Sequence, residues 1–169
     1  MANDDGKAAL KLTFSGVQLD VKPSDHYLDA DWKTILFGVL WTFEAVAGAD
    51  KKIDEKERAA FASFLAQDPP GKLAAYVFTA VRNDLAALTE ARAADKRDAA
   101  HGLTDVDTLL RRYPHRDEAR ELKQAFLDLG ARIAESSGGG LFGLGSKVSE
   151  EETNVMERMR KMFSLPPRG

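Results

Sequence analysis

The 169-residue sequence contains no cysteine. That excludes a disulfide framework, Cys-ligated zinc, thiolate catalysis and thiol-based redox chemistry. It contains no run of about 18 apolar residues, so no helix is expected to span a bilayer. It has no marked excess of one charge. Its 24 basic and 27 acidic residues give a formal charge of −3, which argues against broad electrostatic binding to nucleic acid. Its three histidines, His26, His101 and His115, are scattered, without the paired histidines of a helical zinc site. There is no G-x-S-x-G turn, P-loop or dinucleotide-binding turn. Gly138–Gly139–Gly140 follows a helical pattern rather than a strand, so it is no phosphate cradle. No set of nucleophile, base and orienting group is visible, and the chain is expected not to be an enzyme. The opening Met1–Gly6 is acidic where a secretory leader would be basic, giving a cytoplasmic expectation.

What is present is helical periodicity. Apolar residues make up 44% of the chain, enough for one domain with a real core. Residues 1–28 read as a loosely held arm, with a short strand at best where Leu10, Leu12 and Phe14 alternate with polar neighbours. From Asp29 to Ala47, Trp32, Ile35, Leu36, Val39, Leu40, Phe43 and Val46 form a wide apolar face. This predicts the central, most buried helix, stopped by Gly48. Further helices are predicted over 54–67, 73–92, 116–134 and 149–164, with a short one around Val106–Leu110 capped by Thr104 or Asp105. The expectation is an all-α bundle of six to seven helices over 29–165, with a tail at 166–169.

One segment occurs twice. Asp50–Lys51–Lys52–Ile53–Asp54–Glu55–Lys56–Glu57 corresponds to Gly145–Ser146–Lys147–Val148–Ser149–Glu150–Glu151–Glu152. Each copy follows an apolar-faced helix and opens another, so the chain reads as two helix–acidic turn–helix hairpins. Two explanations stand side by side. Asp54-x-x-Glu57 and Ser149-x-x-Glu152 are capping boxes, with Ile53 and Val148 placed for a hydrophobic staple. Alternatively, Asp50, Asp54 and Glu57 put three hard oxygen ligands within eight residues, suiting Ca²⁺ or Mg²⁺. The spacing is not that of an EF-hand.

The stretch Ala47–Glu57, and its partial repeat, resembles the signature of TerB-like tellurite-resistance domains. The same fold is found in certain DnaJ-type co-chaperones. The resemblance implies a compact helical module whose acidic turns bind a divalent cation, linked to tellurite or metal stress in bacteria and acting through a protein partner. It carries the ligand role to Asp50, Asp54 and Glu57 in the first copy and to Ser149 and Glu152 in the second. The sequence departs from the signature at Lys51, where glycine is usual, and at Gly145, where the leading Asp is missing.

A second surface competes as the functional feature. Leu141, Phe142 and Leu144 lie among glycines in the loop 138–145, either tucked onto the core or offered to a partner or a membrane surface. Met156, Met159 and Met162 line one helix edge, which core packing explains first and a pliable partner-binding surface second. Arg111–Arg112 and His115–Arg116 form a small basic cluster, most simply a solvated surface.

Overall fold

The computed structural model describes residues 11–14, 17–49, 53–137 and 148–167, with only the backbone described in the two strands and at Ser137. Strands β1 (Lys11–Phe14) and β2 (Val17–Asp20) pair antiparallel, with Leu12 opposite Leu19. The alternation around Leu12 is therefore half of a hairpin. Among the described residues seven α-helices follow: α1 Asp29–Ala47, α2 Glu55–Leu65, α3 Lys72–Asn83, α4 Leu85–Ala94, α5 Ala99–Leu110, α6 Arg116–Ser137 and α7 Glu150–Met162. Apart from the hairpin, this is the expected all-α bundle.

α1 is the axis of the fold. Every residue from Thr34 to Thr42 is buried, so its middle is enclosed on all sides rather than along one stripe. α3, α4, α5, α6 and α7 all pack against it. Two threonines survive in this run because their hydroxyls donate back into the helix, Thr34 to Ala30 O at 3.0 Å and Thr42 to Gly38 O at 2.8 Å. Gly38 lets α6 come close: a Cβ there would stand 2.9 Å from the Phe126 ring. Gly48 ends α1 in a right-handed conformation, φ −83°, and not as a left-handed cap.

The connections correct two expectations. The predicted helix over 73–92 is two helices, broken at Asp84, whose φ of −128° and ψ of 30° leave the helical region. α5 begins five residues before Thr104, because Asp98 caps it by accepting the His101 N–H at 2.8 Å. α3 starts after Gly71, whose φ of +100° suits glycine and whose missing side chain would collide with Glu121.

The end of the expected N-terminal arm also touches the bundle. Pro23 is buried, Tyr27 stacks on Tyr113 and Trp32, and the Tyr27 hydroxyl donates to Leu109 O at 3.3 Å. Burial pushes the Tyr27 and Tyr113 phenols well above their usual range.

Candidate functional site

Both acidic turns are closed capping boxes. In the first, Glu57 N–H donates to Asp54 Oδ1 at 2.9 Å, and Asp54 N–H donates to Glu57 Oε2 at 2.8 Å. In the second, Glu152 N–H donates to Ser149 Oγ at 3.1 Å, and Ser149 N–H donates to Glu152 Oε2 at 2.9 Å. Each box satisfies two backbone donors that have no partner within the helix. The acids Glu55 and Glu57 of α2, and Glu150, Glu151 and Glu152 of α7, also sit at the positive end of the helix dipole.

The glutamate of each box is deeply placed. Glu57 and Glu152 are both 1% exposed, whereas Asp54 is exposed. Carboxylates are rarely buried without partners, and the capping bonds supply part of that compensation. The staple expected of Ile53 is not made. Ile53 is 41% exposed, and the fourth helical position that would meet it holds Arg58. Val148, its counterpart, packs partly against the core.

The structure therefore brings Asp54 and Glu57 together, and Ser149 and Glu152 together, each pair through capping bonds. Asp50 and the loop residues Leu141, Phe142 and Leu144 lie outside the described residues. Among the described residues, no three His, Asp or Glu side chains converge in a way that would hold a metal ion. Of the two pairs, only the first has two carboxylates, and Asp54 spends one of its oxygens on the cap.

The methionine edge faces inward. Met159 is 2% exposed, Met156 and Met162 pack partly against the core, and the Met156 sulfur lies over Gly130 of α6. Beside the second box is a cavity of about 440 Å³, lined in part by Ala131, Ala134, Val148 and Met156.

Two features were not legible in the sequence. Arg92 and Arg97 both lie over the Trp41 ring, with guanidinium carbons 5.2 and 4.8 Å from its centroid. Arg92 pairs with Glu44 of α1, while Arg97 binds Asp95 at 2.6 Å and Asp105 at 2.9 Å. The Arg97 hydrogen bond holds the Asp95 carboxyl down to about 2. The other feature is a basic cavity where α5 and α7 end and α6 begins. Its lining comes from two segments, 110–123 and 163–165, of which Arg111 and Arg116 had marked one part.

Compared with protein-family models, curated proteins and solved structures, the chain matches none.

Proposed function

We propose that the chain is a non-enzymatic TerB-like binding module in which a divalent cation, Ca²⁺ or Mg²⁺, is taken at the first acidic turn and its presence is passed to a protein partner. The supporting observation is the pair of matching boxes, each closing with an almost fully buried glutamate at the start of the helix after a long one. In this reading the boxes hold the turns in shape. Asp54 would turn its second carboxylate oxygen to the ion, with Asp50 as the further carboxylate and carbonyls or waters completing the shell. The second turn, with Ser149 in place of an acid, is the weaker ligand set. The tellurite or metal-stress connection rests on the sequence resemblance alone.

A second reading has its own observation. Both boxes are complete as caps, which suffices to explain their residues without an ion. The module would then be a metal-free adaptor, using the loop 138–145 and the cavity beside Val148. The inward-facing methionines contribute chiefly to its core, with Met156 also lining that cavity.

One substitution separates the two. Asn caps a helix about as well as Asp but lacks the charge a hard cation needs. Thermal unfolding should be followed with Ca²⁺, Mg²⁺ or chelator for the natural chain, Asp54→Asn and Asp50→Asn. A ligand at 100 times its dissociation constant adds about 2.7 kcal/mol. A cation-specific rise in midpoint that both variants abolish supports the first reading. No rise at millimolar cation, with Asp54→Asn as stable as the natural chain, leaves the adaptor.

A further inference from the structure

A cavity of about 220 Å³ lies between the end of α5, the first turns of α6 and the end of α7. Arg111, Arg116, Arg120 and Lys123 line it, and Leu110 and Phe163, both 1% exposed, give it an apolar wall. No Asp or Glu is among the described lining residues. The acid in contact with these cations is Asp107. It is 5% exposed and holds Arg111 Nε at 2.7 Å and Lys123 Nζ at 2.6 Å. Four cations against one carboxylate leave three positive charges around one small space.

This arrangement works against the fold's own electrostatics. Arg116, Arg120 and Lys123 fall at i, i+4 and i+7 along α6, so like charges sit on one helix face. Arg116 is the first residue of α6, where the helix dipole already favours anions. Among the described residues neither Arg116 nor Arg120 has an ion-pair partner. Ser164, on the same cavity, has a φ of 53°, a conformation that glycine adopts at lower cost after a helix. It closes α7 as a helix end, with Leu165 N–H donating to Arg160 O at 3.1 Å.

We propose that this cavity binds a compact phosphate group, either free or carried on a lipid headgroup. The volume is below the roughly 300–1,000 Å³ of ordinary cofactor pockets, so a small anionic group fits and a larger ligand would protrude. Three guanidiniums supply forked donors that match phosphate oxygens in pairs, and a charge of three suits a di- or trianion. Asp107 fixes two of the four cations before any ligand arrives, while Arg116 and Arg120 are exposed and close on the anion from the outside. The apolar wall reduces screening inside.

The probe is inorganic pyrophosphate, followed by calorimetry and backbone amide shifts on the full chain. The comparison is the double variant Arg116→Gln/Arg120→Gln, checked by circular dichroism and melting temperature. The expected result is saturable binding that weakens about tenfold or more in the variant, falls with added salt, and moves amides around 111, 116–123 and 164. Absence of saturation at millimolar pyrophosphate, or equal affinity in a folded double variant, overturns the proposal. Sedimentation with phosphatidylcholine vesicles, with and without a phosphoinositide, distinguishes the sources. Phosphoinositide-dependent binding that pyrophosphate displaces identifies a headgroup, and pyrophosphate binding without vesicle binding identifies a free phosphate. Vesicle binding that neither pyrophosphate nor the double variant diminishes overturns the assignment.

Discussion

Gly102 of α5 packs against Trp41 of α1 so closely that a Cβ at 102 would stand 2.2 Å from Cε2 of the indole. The missing side chain at 102 lets α5 pack directly against the enclosed middle of α1. Gly102→Ala is therefore expected to destabilise the protein, although alanine is the better helix former. The overpacking penalty of about 1–3 kcal/mol should exceed the propensity gain of about 1 kcal/mol. Urea unfolding, with tryptophan fluorescence as the probe, reads the difference. A variant more stable than the natural chain would refute the tight contact.

The ion pair between Asp107 and Lys123 joins α5 to α6 with both side chains nearly covered, 7% and 12% exposed. Asp107→Ala would leave Lys123 without its counter-charge, and a loss of about 3 kcal/mol is expected. Arg111→Ala removes the more exposed partner of the same carboxylate, its side chain 58% exposed, and should cost less than about 1 kcal/mol. Equal losses in the two variants, measured by denaturant unfolding, would show that burial does not set the ranking.

The capping boxes make a matched pair of predictions. Asp54→Ala and Ser149→Ala should each cost about 1 kcal/mol, through loss of the acceptor for the Glu57 and Glu152 N–H groups. Asp54→Asn should fall within a few tenths of a kcal/mol of the natural chain without cation. Hydrogen exchange at the amides of Glu57 and Glu152 should quicken in the corresponding alanine variants and stay slow in Asp54→Asn.

Acid stability should depend on Asp95. Its carboxyl, held by Arg97, titrates near 2 in the folded protein and near 3.9 in an unfolded chain. The lowered value means the contribution is fully present above about pH 4 and disappears as pH falls toward 2. On the order of 1–2 kcal/mol is at stake after allowing for solvent around the pair. Arg97→Gln should shift the Asp95 titration, followed by carboxyl carbon resonance, upward toward 4. It should also make the protein less sensitive to pH in that window. An unchanged titration would show that Arg97 is not the cause.

How far the fold could be read depended on how local each determinant is. α1 was legible because its whole circumference is apolar, and the boxes because a cap and its glutamate are three residues apart. The break at Asp84 was hidden, since Val81, Leu85 and Leu88 keep the helical spacing across it with no glycine or proline between. The start of α5 was hidden because Ala99, Ala100, His101 and Gly102 show no apolar period; Asp98 and the need to pass Trp41 decide it. The cations over Trp41 and the basic cavity are products of packing. Arg111 and Ser164 are far apart in the chain, and only the meeting of three helix ends joins them. Asp50 and the loop around Phe142 lie outside the described residues, so those site expectations stand where the sequence left them.

The enclosure of α1 has a consequence for synthesis on the ribosome. Its partners α5 and α6 end at Leu110 and Ser137, and Ala47 closes α1, so 90 residues separate the end of α1 from the end of α6. At about 5–20 residues per second, the apolar run from Thr34 to Thr42 waits roughly 5–18 s in a nascent chain before the last of that covering has been made. During that interval it is covered only in part, by α3 and α4 as they emerge, and holdase chaperones would be its natural company.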